Sequence, residues 1–166
     1  MLSRGGSLGE ATADPERLRA WLTRHTERLV EELEFHRVWA GALSVSVAHR
    51  DGTGGFARAP LPDSTDRFDL LLQAGRAALG RAWTPGKAAN RMHLVASDLR
   101  RPGCRQPGLF EPPAEQARDV ARVKREINAA VGRFALRSGA TLPLSDVYRD
   151  AAQSYDICDV RGKICF

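Results

Sequence analysis

The order of hydrophobic periods along the chain predicts an α+β domain of the form β-α-β-β-α-β, an open sheet with two helices on one face, plus a C-terminal helical tail. Three observations in the 166 residues carry this. An apolar stripe at helical spacing follows Asp14-Pro15. Period-two alternation begins at Ala42 and again at Met92. The turn-forming pairs Asp51-Gly52 and Pro85-Gly86 punctuate the regular segments.

Residues 2 to 8 supply the first strand of the pattern. Asp14 is a good helix N-cap, and Pro15 stands at the first helical position, where the missing N–H costs nothing. Leu18, Trp21, Leu22, His25, Leu29 and Leu33 then share one face. His25, inside that stripe, reads as a partly buried, hydrogen-bonded histidine. From Ala42, Leu43, Val45 and Val47 alternate with Ser44, Ser46 and Ala48, a strand with one buried face. After the Asp51-Gly52 hairpin signal, Phe56 to Ala59 form a short strand, ended by Pro60 and Pro62. Ser64, Thr65 or Asp66 caps a second helix, whose apolar face is Phe68, Leu71, Leu72, Gly75, Ala78, Leu79 and Ala82. Met92, Leu94 and Ala96 alternate with Arg91, His93 and Val95 in a further strand, which leaves His93 solvated.

Arg101-Pro102-Gly103 and Glu111-Pro112-Pro113 bracket an irregular segment and mark a boundary. Beyond it, Val120, Val123, Ile127, Val131 and Phe134 define a third helix; the last residues show no clear period. The expected organisation is a domain over 1–100, a linker over 101–113 and a helix with irregular tail over 114–166.

Net charge is +5, and of the 25 cations only Lys87, Lys124 and Lys163 are lysines. An arginine-rich basic chain favours acidic partners, nucleic acid first, because guanidinium binds phosphate bidentately. No run approaches the roughly 18 apolar residues of a membrane span, and the start lacks the apolar stretch of a secretory signal. The expected protein is soluble, cytoplasmic and without membrane contact. Cys104, Cys158 and Cys165 form no metal-ligand spacing and read as reduced thiols, so neither metal nor cofactor is expected. Glu31, Glu32 and Glu34 read as a solvated helix face, and Asp63, Asp66 and Asp69 as complements to a helix dipole.

The segment Arg105-Gln106-Pro107-Gly108-Leu109-Phe110 is the most informative. Its Gln-x-x-Leu-Phe form, between proline-rich breaks, resembles the clamp-binding pentapeptide of bacterial Y-family DNA polymerases. Leu109 and Phe110 can enter an apolar cleft while the Gln106 amide hydrogen-bonds at its rim. Other pieces are similar to the same family in order and spacing, over residues 2 to 135: Ser3 to Gly9 with Thr12 and Asp14, Leu61-Pro62-Asp63-Ser64-Thr65-Asp66, Ala96-Ser97-Asp98-Leu99, and Asn128 to Phe134. These resemble the C-terminal little finger of a Y-family translesion polymerase with its downstream tail.

The resemblance implies a non-catalytic module that binds primer-template DNA and the bacterial sliding clamp, in translesion synthesis, DNA repair and the SOS response. Ser3, Arg4, Ser7, Arg50, Arg58 and Arg91 are the implied DNA contacts; Gln106, Leu109 and Phe110 are the implied clamp contacts. Two arginines depart by one position from the family's strand runs. On a strand, such a shift turns a side chain to the opposite face, so either a bulge returns Arg58 to the DNA side or that contact is weakened. No catalytic residue is assigned, because the Asp-x-Asp-x-Phe and Ser-x-Asp-Glu runs that hold the family's metal ions do not occur. The chain is then a fragment, a truncated product, or half of a split polymerase active with a palm, fingers and thumb portion. The remaining alternative is an unrelated small α/β protein-interaction domain.

Overall fold

The computed structural model describes residues 1–102, 115–132 and 135–149. In chain order the elements are β1 (Leu2–Thr12), α1 (Pro15–Phe35), β2 (Ala40–His49), β3 (Gly54–Thr65), α2 (Phe68–Ala82), β4 (Ala89–Ser97), α3 (Glu115–Val131), a 3-10 helix (Gly139–Leu144) and α4 (Ser145–Arg149). The first six elements follow the β-α-β-β-α-β order read from the sequence. They make one antiparallel sheet in the order β1-β4-β2-β3.

The termini of α1 follow from local chemistry. The Asp14 carboxylate accepts the Glu16 N–H at 2.9 Å, and Pro15 opens the helix. At the other end Arg37 has φ 51°, the left-handed conformation usually left to glycine. Arg37 N–H donates to Glu34 C=O at 3.1 Å and Val38 N–H to Leu33 C=O at 3.0 Å, the paired bonds of a Schellman motif. Val38 and Leu33 both join the core, and this contact offsets the roughly 1–2 kcal/mol that a left-handed non-glycine residue costs.

Leu43, Val45 and Val47 of β2 are buried with Met92, Leu94 and Ala96 of β4 and with Ala57 and Ala59 of β3. Their register aligns them on one face, Leu43 between Ala96 and Ala59, Val45 between Leu94 and Ala57. Leu18, Leu22, Leu29 and Leu33 of α1 and Leu71, Leu72 and Leu79 of α2 complete the same core. Each fully buried leucine contributes about 1.5–3 kcal/mol. Gly75 lets α2 approach closely, since a Cβ there would lie 3.3 Å from both Leu22 and Leu43.

Three local expectations are corrected. First, β3 does not stop at Pro60; it runs through Pro60 and Pro62 to Thr65. It is an edge strand, so missing N–H groups are tolerated on its outer side. Second, α2 has Arg67 as N-cap with no side-chain cap, although Thr65 Oγ1 accepts the Arg67 N–H at 3.1 Å just before it. Third, the acidic residues of α1 are not a solvated face. Arg4 pairs with Glu32 and Arg125 with Glu34, while Glu27, whose side chain is only 4% exposed, binds Lys124. The third helix is present as α3; its Val120, Val123, Ile127 and Val131 are exposed, it meets α1 through Lys124 and Arg125, and Phe134 lies outside the described residues.

The C-terminal elements therefore form an outer layer on α1. Ser138 N–H donates to Glu27 Oε1 at 3.0 Å, Arg17 pairs with Asp146 at 3.0 Å, and Thr141 and Leu144 are buried. Thr23, Arg24 and Arg28, off the leucine stripe of α1, are buried as well.

Candidate nucleic-acid interface

Both helices between strands cover the Leu43–Val45–Val47 side, and the opposite side of the sheet carries a second set of side chains. Cross-strand register arranges them in rows. Gly54, Ala48, Arg91 and Ser7 form one row; Phe56, Ser46, His93 and Gly5 the next; Arg58, Ser44, Val95 and Ser3 the third; Pro60, Ala42 and Ser97 the last. The rows have a ridge-and-trough profile. β2 offers only Ala42, Ser44, Ser46 and Ala48, of which Ala42 and Ser44 are buried and Ser46 and Ala48 half-buried, while β3 and β4 raise Phe56, Arg58, Arg91 and His93 on either side. With strands about 4.8 Å apart, the two ridges stand roughly 10 Å from each other. β1 adds a second low strip of Ser3, Gly5 and Ser7.

Of the six DNA-contact candidates, four lie on this face: Ser3, Ser7, Arg58 and Arg91. Arg58 reaches it without a bulge. Its strand is in regular register with β2 from Gly54 to Pro60, and the irregularity falls later, between Ala40 and Ala42. Arg4 does not lie on the face. It shares the phase of Leu2 and Leu8, points to the helix layer and pairs with Glu32 of α1; as a face contact it is withdrawn. Arg50 sits beyond the face, exposed in the β2–β3 turn, its N–H bonded to Ala88 C=O at 2.8 Å. Beside it Lys87 Nζ donates to Asp51 at 2.8 Å, and the Thr53 hydroxyl and N–H donate to Asp51 at 2.6 and 2.9 Å; these hydrogen bonds hold the Asp51 carboxyl well below the usual carboxylate range. Gln106, Leu109 and Phe110 lie outside the described residues.

Sequence reasoning missed Asp98. This residue has φ 53° and pairs with Arg58. Both side chains remain about half exposed, 49% for Arg58 and 54% for Asp98, so the pair is wet and exchangeable. Arg58 is further framed by Arg81, whose Nη2 donates to the Arg58 carbonyl at 2.9 Å. Phe56 was also missed as a face residue, although the alternation with Ala57 and Ala59 was legible.

His25 is the other polar group whose setting differs from expectation. It is buried, and among the described residues neither ring nitrogen has a hydrogen-bond partner. Its ring lies 5.5 Å from that of Trp21. Burial, then the charges of Arg24 and Arg28, lowers its pKa to about 3. It is a neutral core residue.

The carboxylates do not converge. Asp69 pairs with Arg67 at 2.6 Å in the first turn of α2, which lowers its pKa, and among the described residues no group of three metal-ligating side chains comes together. No helix among them is long and apolar enough to cross a membrane.

An open four-stranded antiparallel sheet with both connecting helices on one side and arginines on the other is the build of a little finger domain. The model of the impB/mucB/samB family C-terminal domain matches residues 1–109, and the chain belongs to that family, the C-terminal domain of Y-family DNA polymerases. No curated protein sequence matches it. Among solved structures, the complex of β-clamp processivity factor and the little finger domain of PolIV is 14% identical at TM-score 0.49. That alignment covers 66% of this chain and 97% of the other. The post-insertion binary complex of Dbh DNA polymerase is 11% identical at TM-score 0.48, with 60% and 28% covered. DinB from Sulfolobus solfataricus is 12% identical at TM-score 0.43, with 55% and 26% covered. The chain thus spans about a quarter of the whole polymerases it aligns with.

Proposed function

We propose that the bare face of the sheet holds the DNA of a translesion polymerase by its phosphate backbone, and that Gln106, Leu109 and Phe110 tether the same chain to the sliding clamp. One observation carries the first half: the face opposite the helices combines a floor of alanine and serine with Arg58 and Arg91 on opposite ridges. Cα positions two strands and four residues apart lie roughly 17 Å from each other, so the two guanidinium groups reach different phosphates. Ser3 and Ser7 add short hydrogen-bond donors from β1. Such contacts position a duplex and read little sequence.

Affinity for duplex DNA is expected to fall steeply with salt and to vary little with sequence. Arg58→Ala lowers it and reduces the slope of log K against log salt by about one. Asp98→Ala does the reverse, raising affinity several-fold at low salt, because it frees Arg58 from its carboxylate partner. Fluorescence anisotropy at several salt concentrations measures all three; a flat salt response ends this half of the proposal. The clamp half predicts that Leu109→Ala with Phe110→Ala removes clamp binding and leaves fold and DNA affinity unchanged. Calorimetric titration that finds the clamp affinity unaltered ends that half.

The domain division follows: residues 1–100 as the DNA-binding unit, 101–113 as the tether, and 114–166 as an added segment. Since the family model is that of a C-terminal domain, a second reading has the chain completing an active polymerase with a palm-bearing partner. Primer extension past a lesion, with and without that partner, tests it.

A further inference from the structure

Phe56 is 66% exposed in the middle of the bare face, on a row whose other members are Ser46, His93 and Gly5. Its neighbours on the same face of β3 are Gly54 and Arg58, so no apolar side chain of its own strand shelters it. His93 rises from the far ridge of the same row, and between the two rings the floor is Ser46 alone. The resulting gap is roughly 10 Å from strand to strand. Arg58 flanks it along β3, opposite Ser44, and Arg91 along β4, opposite Ala48. An aromatic group beside two cations and above a hydroxyl floor matches one kind of occupant: a flat, hydrogen-bonding ring attached to a phosphodiester chain.

We infer that Phe56, with His93 opposite, forms a slot for an unpaired base of the bound DNA. The inference rests on the DNA-binding reading of this face and refines it. A base about 3.4 Å thick enters edge-on between the ridges, its π-face against Phe56 and its polar edge above Ser46, while Arg58 and Arg91 hold phosphates on either side. Stacking of this kind is indifferent to base identity, so the slot selects for an unpaired base rather than for a sequence. In a paired duplex every base is already stacked, and Phe56 then contributes little.

The test compares the full chain with Phe56→Leu, which keeps an apolar side chain without the ring, and Phe56→Trp, which keeps a ring. Two oligonucleotides of equal length serve as probes: a fully paired duplex, and the same duplex with a single-nucleotide bulge occupied by 2-aminopurine. The expected result is a loss of about tenfold in affinity for the bulged probe with Phe56→Leu, a change below about twofold for the paired duplex, and retention with Phe56→Trp. Quenching of 2-aminopurine on binding should appear with the unaltered chain and Phe56→Trp and vanish with Phe56→Leu. An undiminished affinity of Phe56→Leu for the bulged probe, or equal losses on both probes, overturns the slot while leaving phosphate binding intact. Failure of the unaltered chain to bind either probe overturns both readings. Loss of affinity for a protein partner, with DNA binding unaltered, assigns Phe56 to a protein interface and overturns the slot.

Discussion

Gly55→Val will destabilise the protein by at least about 3 kcal/mol, whereas Gly80→Ala, a Gly-to-larger change one helix end away, will stabilise it by about 0.5–1 kcal/mol. Gly55 lies on the covered side of β3, directly under the end of α2. A Cβ there would stand 2.0 Å from the Ala82 carbonyl oxygen and 2.9 Å from its carbon. Both are backbone atoms, which no rotamer change can move aside. The last turn of α2 would have to lift from the sheet. Its departure would strain the Trp83 N–H bond to Leu79 C=O, 2.9 Å, and the Arg81 bond to the Arg58 carbonyl. Gly80 stands in the same helix, but a Cβ there meets nothing within 4 Å. Alanine at that site gains helix propensity and loses unfolded-state entropy without a clash. Urea denaturation of the two variants gives the signs directly. Two changes of the same sign would mean that α2 does not rest on β3 at Gly55. Gly55→Val also carries a functional corollary, because moving the end of α2 disturbs Arg58 from behind.

The parts of this fold that the sequence made legible are those where burial and period coincide. Leu43, Val45 and Val47 alternate because one face of β2 is apolar and the other is lined by alanine and serine, and the same holds for Met92, Leu94 and Ala96 of β4. The phase of that alternation sets which face Arg58 and Arg91 occupy. Arg4 shows the same rule from the other side: it shares the phase of the inward-facing Leu2 and Leu8, and a period-two reading of β1 places it inward. Its assignment to the DNA side came from resemblance alone.

Other features left no period to read. Asp98 stands at φ 53°, and a left-handed residue breaks strand alternation, so its approach to Arg58 from the end of β4 has no local signature. The extension of β3 through Pro60 and Pro62 depends on the strand lying at the sheet edge, a fact of topology rather than of the segment. The outer layer on α1 was hidden for a third reason. It is docked by Lys124, Arg125, Arg17 and Ser138, charged and polar groups that pattern reading assigns to solvent. The apolar residues Val120, Val123, Ile127 and Val131 of α3 face outward.

Acidification will destabilise the folded chain from about pH 6 downward, by about 1.4 kcal/mol per pH unit, and His25→Leu will remove that slope. In the unfolded chain His25 titrates at its ordinary value of 6.5; in the fold, its pKa is lowered to about 3. Between those values the unfolded state binds one more proton than the folded state. Stability therefore rises with pH in that window, is fully present above pH 6.5 and is lost as pH falls toward 3. The physical cause is first burial and then the charges of Arg24 and Arg28, with a smaller contribution from His93. An imidazolium in that place would be a third cation beside two guanidinium groups. The carboxylates held low by arginine act outside the window between pH 6 and 5. Asp69 and Asp146 have lowered pKa values through Arg67 and Arg17 and act only below their ordinary 3.8. Burial raises Glu34, whose folded form takes up a proton earlier, and its contribution has the opposite sign. At pH 7, leucine at position 25 is expected to cost less than about 1 kcal/mol, because it removes two buried nitrogens that have no hydrogen-bond partner among the described residues. Urea melts of both proteins at pH 7, 6 and 5 decide the matter, and parallel losses in the two would mean that His25 is not the residue that takes up the proton. Since His25 packs against Trp21 in the layer between the sheet and the C-terminal elements, tryptophan fluorescence should report the same transition.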